Sequence, residues 1–305
     1  MAGIALVLGG VAVAHAHETD QFTGRGGWLA EAEVIADQDM NRALAFAVRD
    51  ANRASMGIGC ARDWLDFFLV SYLLGVPTPR GTFMPRLQVD MERDSRIEMR
   101  WTPYSKSIYA QTRPRSRWGS EETQLDAWFR IWGLKPVMRL NGVEIGTDKI
   151  GHFLMAGKTY LMTELSARRR GLGAQAVEHA VFEHGRVLEE GSFGLKATGV
   201  KSWADLVANH RGLEFWKRVA GTAEPYIACE KGRFRLVREF RWSEYVDPLW
   251  DEAINCSTFT TRLARVVEQR LGQRGMQCPV DPELCRKHRD IANAGELVSP
   301  VCRAL

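Results

Sequence analysis

Between Thr147 and Val219 the sequence writes three helices almost end to end, and this succession constrains the fold more than any other feature. Apolar spacing predicts helices over 148–169, 173–190 and 203–219, with Thr147 or Asp148 as N-cap of the first and Ser202 as N-cap of the third. Helices joined by such short connections must pack as neighbours. Polar residues on their facing sides then share one interior.

The first helix puts Asp148 and His152 four residues apart on one face, with Lys149 and Phe153 on the next. An Asp that accepts from one imidazole nitrogen fixes the tautomer and frees the other for a metal or a proton transfer. The same Asp in a first turn also suits the helix dipole. The second helix carries His179, Glu183 and His184, but the spacing is HxxxEH rather than HxxEH. The extra residue turns the first His by about 100°, which excludes an inverted zincin and leaves His179, His184 and Glu190 for the solvated face. The third helix lines up Asp205, Asn209 and Gly212, beside an apolar stripe of Leu206, Leu213 and Trp216. A mid-helix Gly costs about 1 kcal/mol against Ala, so Gly212 marks a close approach by a ligand or a neighbouring helix. His210 reads as a surface residue.

Elsewhere, the pattern predicts helices over 28–52, with Val34, Met40, Leu44 and Val48 as its stripe, over 62–74, from Ser120, and over 257–271. Alternation predicts hairpins over 87–101, around Asn141–Gly142 and around Lys231–Gly232. The class is α+β and mainly helical: a helical core with short antiparallel hairpins. No internal repeat or linker divides it. One domain over 17–275, with a Cys-rich tail over 276–305 packed on it, is the simplest organisation.

The apolar run Ile4–Ala14 followed by "AHA" predicts a signal peptide over 1–16 and cleavage after Ala16, although the usual basic start is missing. An even count of six cysteines in an exported chain favours disulfides. Cys278, Cys285 and Cys302 are expected to staple the tail, with at least one reaching the body through Cys60, Cys229 or Cys256; Cys229–Cys256 is one option. Zinc is the weaker reading, because there is no CxxC and His288 stands alone. The 41 basic and 37 acidic residues are well mixed, so no basic stripe points to nucleic acid. Arg168–Arg170 reads as a helix C-terminal cation cluster, with a phosphate or lipid headgroup as the alternative.

Four blocks, "GTDKIGHF", "GRVLEEGSFG" running into "TGVKSWADLVANHRGLEFW", and "YVDPLWDEAINCSTF", resemble a group of uncharacterised exported bacterial proteins with the same blocks in the same order. The first half is distantly similar to the YfiM-type lipoproteins. The resemblance covers Gly146 to Phe259, and "FTGR" at Phe22–Arg25 extends it. It marks Asp148, Lys149, His152, Glu189, Asp205, Asn209 and Gly212, then Trp250, Asp251, Glu252, Asn255 and Cys256. Lys201 and His184 depart from it, where an aromatic residue and a Tyr are expected. It implies no established activity.

Together these readings predict a periplasmic or secreted cell-envelope protein with a His/carboxylate pocket. Asp148, His152, Glu189 and Asp205 are the expected catalytic set, with Asp148 orienting His152; His152, Glu189 and Asp205 are the expected ligands of a divalent metal. Lys149, Asn209, Gly212, Asp251, Glu252 and Asn255 are the expected ligand-binding residues, with Lys149 pairing a carboxylate or an anionic substrate. Asp251 and Glu252 could also serve Ca²⁺, but the alternating spacing of a calcium loop is missing. Ser257 lacks a Gly-x-Ser-x-Gly context and is excluded as a nucleophile. The activity this points to is a metal-dependent or acid/base hydrolase acting on a small molecule. The competing reading is a non-enzymatic envelope protein, in which the same residues form a structural network and a Trp-rich surface meets a membrane or a protein partner.

Overall fold

The structure, a computed structural model, describes residues 18–55, 59–75, 85–110, 133–191, 193–289 and 294–305. The signal segment and the helix expected from Ser120 lie outside the described residues.

Helix α1, Glu33–Ala54, buries Ala36, Met40, Leu44, Ala47, Val48 and Ala51, a stripe of helical period. Val34 was expected on that stripe but is 69% exposed. Residues from Trp28 to Ala32 stay outside the helix, because Ala32 N–H donates to the Arg139 carbonyl and Glu31 bridges to Arg139. Helix α2, Arg62–Leu69, packs on α1 and widens into a π-helical turn, Val70–Leu74, that ends at Gly75.

The hairpin expected over 87–101 is not formed. Its first half is helix α3, Arg86–Arg93, which buries Leu87, Gln88 and Met91. Leu87 and Met91 satisfy a period of two and an i, i+4 repeat equally well. The side chains decide for the helix: Arg86 lies near Asp90 and Gln88 donates to Glu92, both at i, i+4.

Strands β1, Val137–Leu140, and β2, Val143–Gly146, form the hairpin expected at Asn141–Gly142. The first of the three successive helices is interrupted: α4, Asp148–Gly151, passes through a π turn, His152–Ala156, into α5, Gly157–Arg169. Next come α6, Ala174–Glu190, the two-residue strand β3, Val200–Lys201, and α7, Trp203–Ala220. Ser202 caps α7 as expected, its hydroxyl accepting from Asp205 N–H at 3.2 Å. Helices α5 and α7 are close neighbours, as are α5 and α6.

Strands β4, Ile227–Glu230, and β5, Arg233–Leu236, make the Lys231–Gly232 hairpin. Helix α1 clamps the chain running out of it: the side-chain amides of Asn52 and Asn41 each exchange two hydrogen bonds with the backbone of Phe234 and Phe240. Strand β6, Thr258–Phe259, pairs antiparallel with β3, so α8, Thr261–Gly272, begins four residues later than expected.

The tail holds α9, Pro282–Arg289, α10, Ala294–Leu297, and α11, Pro300–Ala304. Three disulfides form: Cys60–Cys229, Cys256–Cys278 and Cys285–Cys302. Two lie in the tail and one of those reaches the body through Cys256, as expected. The Cys229–Cys256 option is replaced, because Cys60, just before α2, takes Cys229. Three disulfides fit an oxidising, extracytoplasmic compartment. Among the described residues no helix is long and apolar enough to cross a membrane.

Candidate functional site

The π turn sets the site. The indole N–H of Trp216 donates to Leu154 O within the turn at 2.7 Å, beside the backbone N–H that this carbonyl already accepts at the turn's end, and so ties the turn to its neighbouring helix. Phe153 anchors the turn on its inner side. Its ring lies 5.0 Å from Trp242, 5.2 Å from Phe215 and Tyr245, and 5.9 Å from Trp250. Aromatic contacts of this kind contribute about 0.5–1.5 kcal/mol each, so the backbone carrying His152 is held firmly. Helix α7 crosses at Gly212, where an added Cβ would lie 1.9 Å from Phe153 O and 3.0 Å from the Gly157 Cα. Of the two approaches expected at Gly212, the structure shows the one by a neighbouring helix.

Lys149 is the hub. Its side chain is 0% exposed, and Nζ lies 2.9 Å from Asp148 Oδ2, 2.6 Å from Asp205 Oδ1 and 2.6 Å from Glu252 Oε1. The partner is a set of carboxylates, as one of the two expectations held. Asp148 neither caps the helix nor orients His152: it binds Lys149 and accepts from Thr19 Oγ1 at 2.7 Å. Asp205 orients the imidazole instead, with Oδ2 3.1 Å from His152 Nε2. Asn209 Oδ1 lies 3.0 Å from His152 Nδ1, and its amide donates to Tyr160 OH. If Nδ1 carries a proton it donates to Asn209, and Nε2 faces the carboxylates.

Glu189, near the end of α6, comes to the same place. One oxygen accepts from Ser202 N–H at 3.4 Å. The other, Oε1, is buried and has no hydrogen-bond partner among the described residues. His152, Glu189 and Asp205 each offer a ligand atom within 4.8 Å of the others, and so do Asp148, Asp205 and Glu252. The three helices thus bring together all four residues expected to be catalytic.

Two expected ligand-binding residues stay outside. Asp251 pairs with Arg25 at 2.6 Å and takes the Ala253 N–H. Asn255 holds the tail, donating to Leu249 O and Leu297 O and accepting from Ser299 N–H. His210 is not a free surface residue: its ring stacks on Phe182 at 5.5 Å with an interplanar angle of 3°. Lys201, a departure from the resemblance, pairs with Glu190 at 2.9 Å.

The sequence reading missed Glu18, Thr19 and Tyr109. Glu18 is 2% exposed, accepts from Thr198 and lies in the field of Glu252 and Asp205. Tyr109 OH faces Glu252 Oε2 at 3.4 Å. The one signal for the first two was the polar run Glu18–Gln21, one residue past the expected cleavage point.

Five buried carboxyl groups thus face one ammonium and one imidazole. Burial raises Glu189 to about 8 and Glu252 to about 7, with Asp205 adding to both; Lys149 offsets part of the effect at Glu252. Burial and the neighbouring Glu252 and Asp205 raise Glu18 well above its ordinary value. Burial disfavours a charged His152, but Asp205 and Glu189 outweigh it and raise the imidazole to about 9. Asp205 is the fixed anion: burial would raise it, yet His152 and Lys149 hold it far below the usual range.

These shifts give a pH dependence. Glu189 and Glu252 keep protons in the folded chain that the unfolded chain releases near 4.5, and His152 keeps one that is otherwise lost near 6.5. The folded state binds more protons across this window, so stability falls as pH rises from about 5 to 9, by roughly 1.4 kcal/mol per pH unit for each extra proton held. The thermal midpoint in metal-free buffer is expected to be lower at pH 9 than at pH 5. A higher midpoint at pH 9 would contradict it.

No family model, curated protein or solved structure matches this chain.

Proposed function

We propose that the chain is an exported cell-envelope protein in which His152, Glu189 and Asp205 hold a divalent cation, and that a water on this cation performs a hydrolysis. The observation that carries the reading is Glu189 Oε1, a buried carboxyl oxygen without a partner among the described residues, on a side chain that offers a ligand atom within 4.8 Å of those of His152 and Asp205. Leaving a buried polar atom unpaired costs about 1–3 kcal/mol. A bound cation removes that cost and neutralises part of the acid excess.

One nitrogen and two oxygens suit Zn²⁺ or Mn²⁺, and three protein ligands leave a position for water, whose pKa a bound zinc lowers to about 7. Asn209 supports the arrangement by holding Nδ1 and directing Nε2 inward. His152 is the most accessible of the three, its side chain 10% exposed against 2% for Asp205, so entry is on its side.

Metal analysis of protein purified without chelator tests this reading. About one equivalent is expected in the wild type, and at least a tenfold weaker affinity in His152→Ala and Glu189→Gln. A second reading, a structural network in a non-enzymatic protein that meets an envelope partner or lipid through exposed Trp28, Trp64 and Trp101, is favoured by the near-complete burial of Asp148, Lys149, Asp205 and Glu252. Absence of metal from the wild type, with both variants merely less stable, would decide for it.

A further inference from the structure

The inner carboxylates already hold a cation. Asp148, Asp205 and Glu252 surround the Lys149 ammonium at 2.6–2.9 Å, and their ligand oxygens lie within 4.8 Å of one another, as those around a single metal ion would. A set made of oxygens alone suits hard ions such as Mg²⁺, Mn²⁺ and Ca²⁺. The Lys149 ammonium shows that these oxygens converge on a single positive charge. A second sign is Glu18 Oε2, buried and without a partner among the described residues, on a side chain that feels both Glu252 and Asp205.

The inner cage and the outer His152–Glu189–Asp205 group share Asp205, which gives Oδ1 to Lys149 and Oδ2 to His152. Two divalent ions could therefore occupy adjacent sites bridged by one carboxylate. One of those sites is closed by a charge on the chain itself. A tethered ammonium cannot be chelated or diluted away, and it brings one positive charge where a metal would bring two.

We propose that Lys149 is a tethered counter-ion that occupies a divalent-metal cage, keeps metal out of it, and confines metal to the outer group. Lys149 is then a positioning residue: it fixes Asp205 so that one oxygen is left for the outer ion. Only the clause on the outer group rests on the function proposed above; occupancy of the inner cage can be measured without it.

The test uses the full chain, wild type and Lys149→Gly, with Mn²⁺ and ethylamine as probes. Removing the side chain empties the cage, so the variant is expected to bind one Mn²⁺ equivalent more than the wild type. Its thermal midpoint should also rise with either probe, whereas ethylamine leaves the wild type unchanged. Equal Mn²⁺ equivalents in the two proteins would overturn the proposal, as would a variant whose midpoint ethylamine does not move.

The two readings fail separately. No Mn²⁺ in the wild type and one equivalent in the variant retires the outer metal site and keeps the Lys149 assignment. One equivalent in both, lost from the wild type on His152→Ala, does the reverse. Should Lys149→Gly not fold alone, its recovery by refolding in Mn²⁺ or ethylamine supports the proposal. Failure of that recovery, together with no Mn²⁺-dependent gain in stability for Lys149→Gln beyond that of the wild type, overturns it.

Discussion

Lys149→Met, in metal-free buffer at pH 7.5, is expected to lose about 3–5 kcal/mol of unfolding free energy, the usual cost of leaving a buried charge without its partner. The methionine fills nearly the same volume, so the loss is electrostatic rather than a cavity effect. Asp148, Asp205 and Glu252, each no more than 3% exposed, would then face one another without the ammonium. The folded variant escapes by taking up protons, which makes its deficit depend on pH. Urea unfolding at pH 5 should show a clearly smaller loss than at pH 7.5. A deficit of equal size at both values would mean that Lys149 contributes packing and not charge.

Gly212→Ala is the second large effect, expected at about 3 kcal/mol, near the upper end for overpacking a core. The added methyl would meet a backbone carbonyl, Phe153 O, and the backbone of Gly157. Neither can rotate aside as a side chain would, so α7 and the π turn must separate. His152 rides on that turn, and Asp205 and Asn209 ride on α7. On the metal-binding reading proposed above, Mn²⁺ affinity should therefore fall along with stability. Gly272→Ala is the control, because a Cβ at Gly272 meets nothing within 4 Å and should be neutral or slightly stabilising. Similar losses in the two variants would show that the Gly212 effect is not a helix-crossing clash.

The contrast between these sites shows what the sequence could carry. The helices of the core were legible because their apolar stripes run through many turns, and the Asn141–Gly142 and Lys231–Gly232 turns because both non-glycine positions adopt positive φ. Residues 86–93 were misread because so short a run fits both periods. Within the site, successive short-linked helices made the meeting of His152, Glu189 and Asp205 readable. The pairing inside it was not: i, i+4 spacing assigned Asp148 to His152, but Thr19 and Lys149 take Asp148, and Asp205 reaches His152 from the neighbouring helix. The roles of Glu18, Thr19 and Glu252 depend on contacts over more than a hundred residues, which no local pattern encodes.

Those separations bear on when the cluster can form. Thr19 joins Asp148 across 129 residues, Lys149 joins Glu252 across 103, and Thr198 joins Glu18 across 180. Contacts of such sequence separation form slowly, since a long loop must be closed before any of them is gained. While a chain emerges N-terminus first, Glu18, Asp148 and Lys149 must wait in solvent for Glu252. The loop that carries Glu252 is then tied down by Cys256–Cys278, so oxidation of that pair comes after most of the chain has emerged. The buried charges are thus shielded from water only once both distant segments have been delivered.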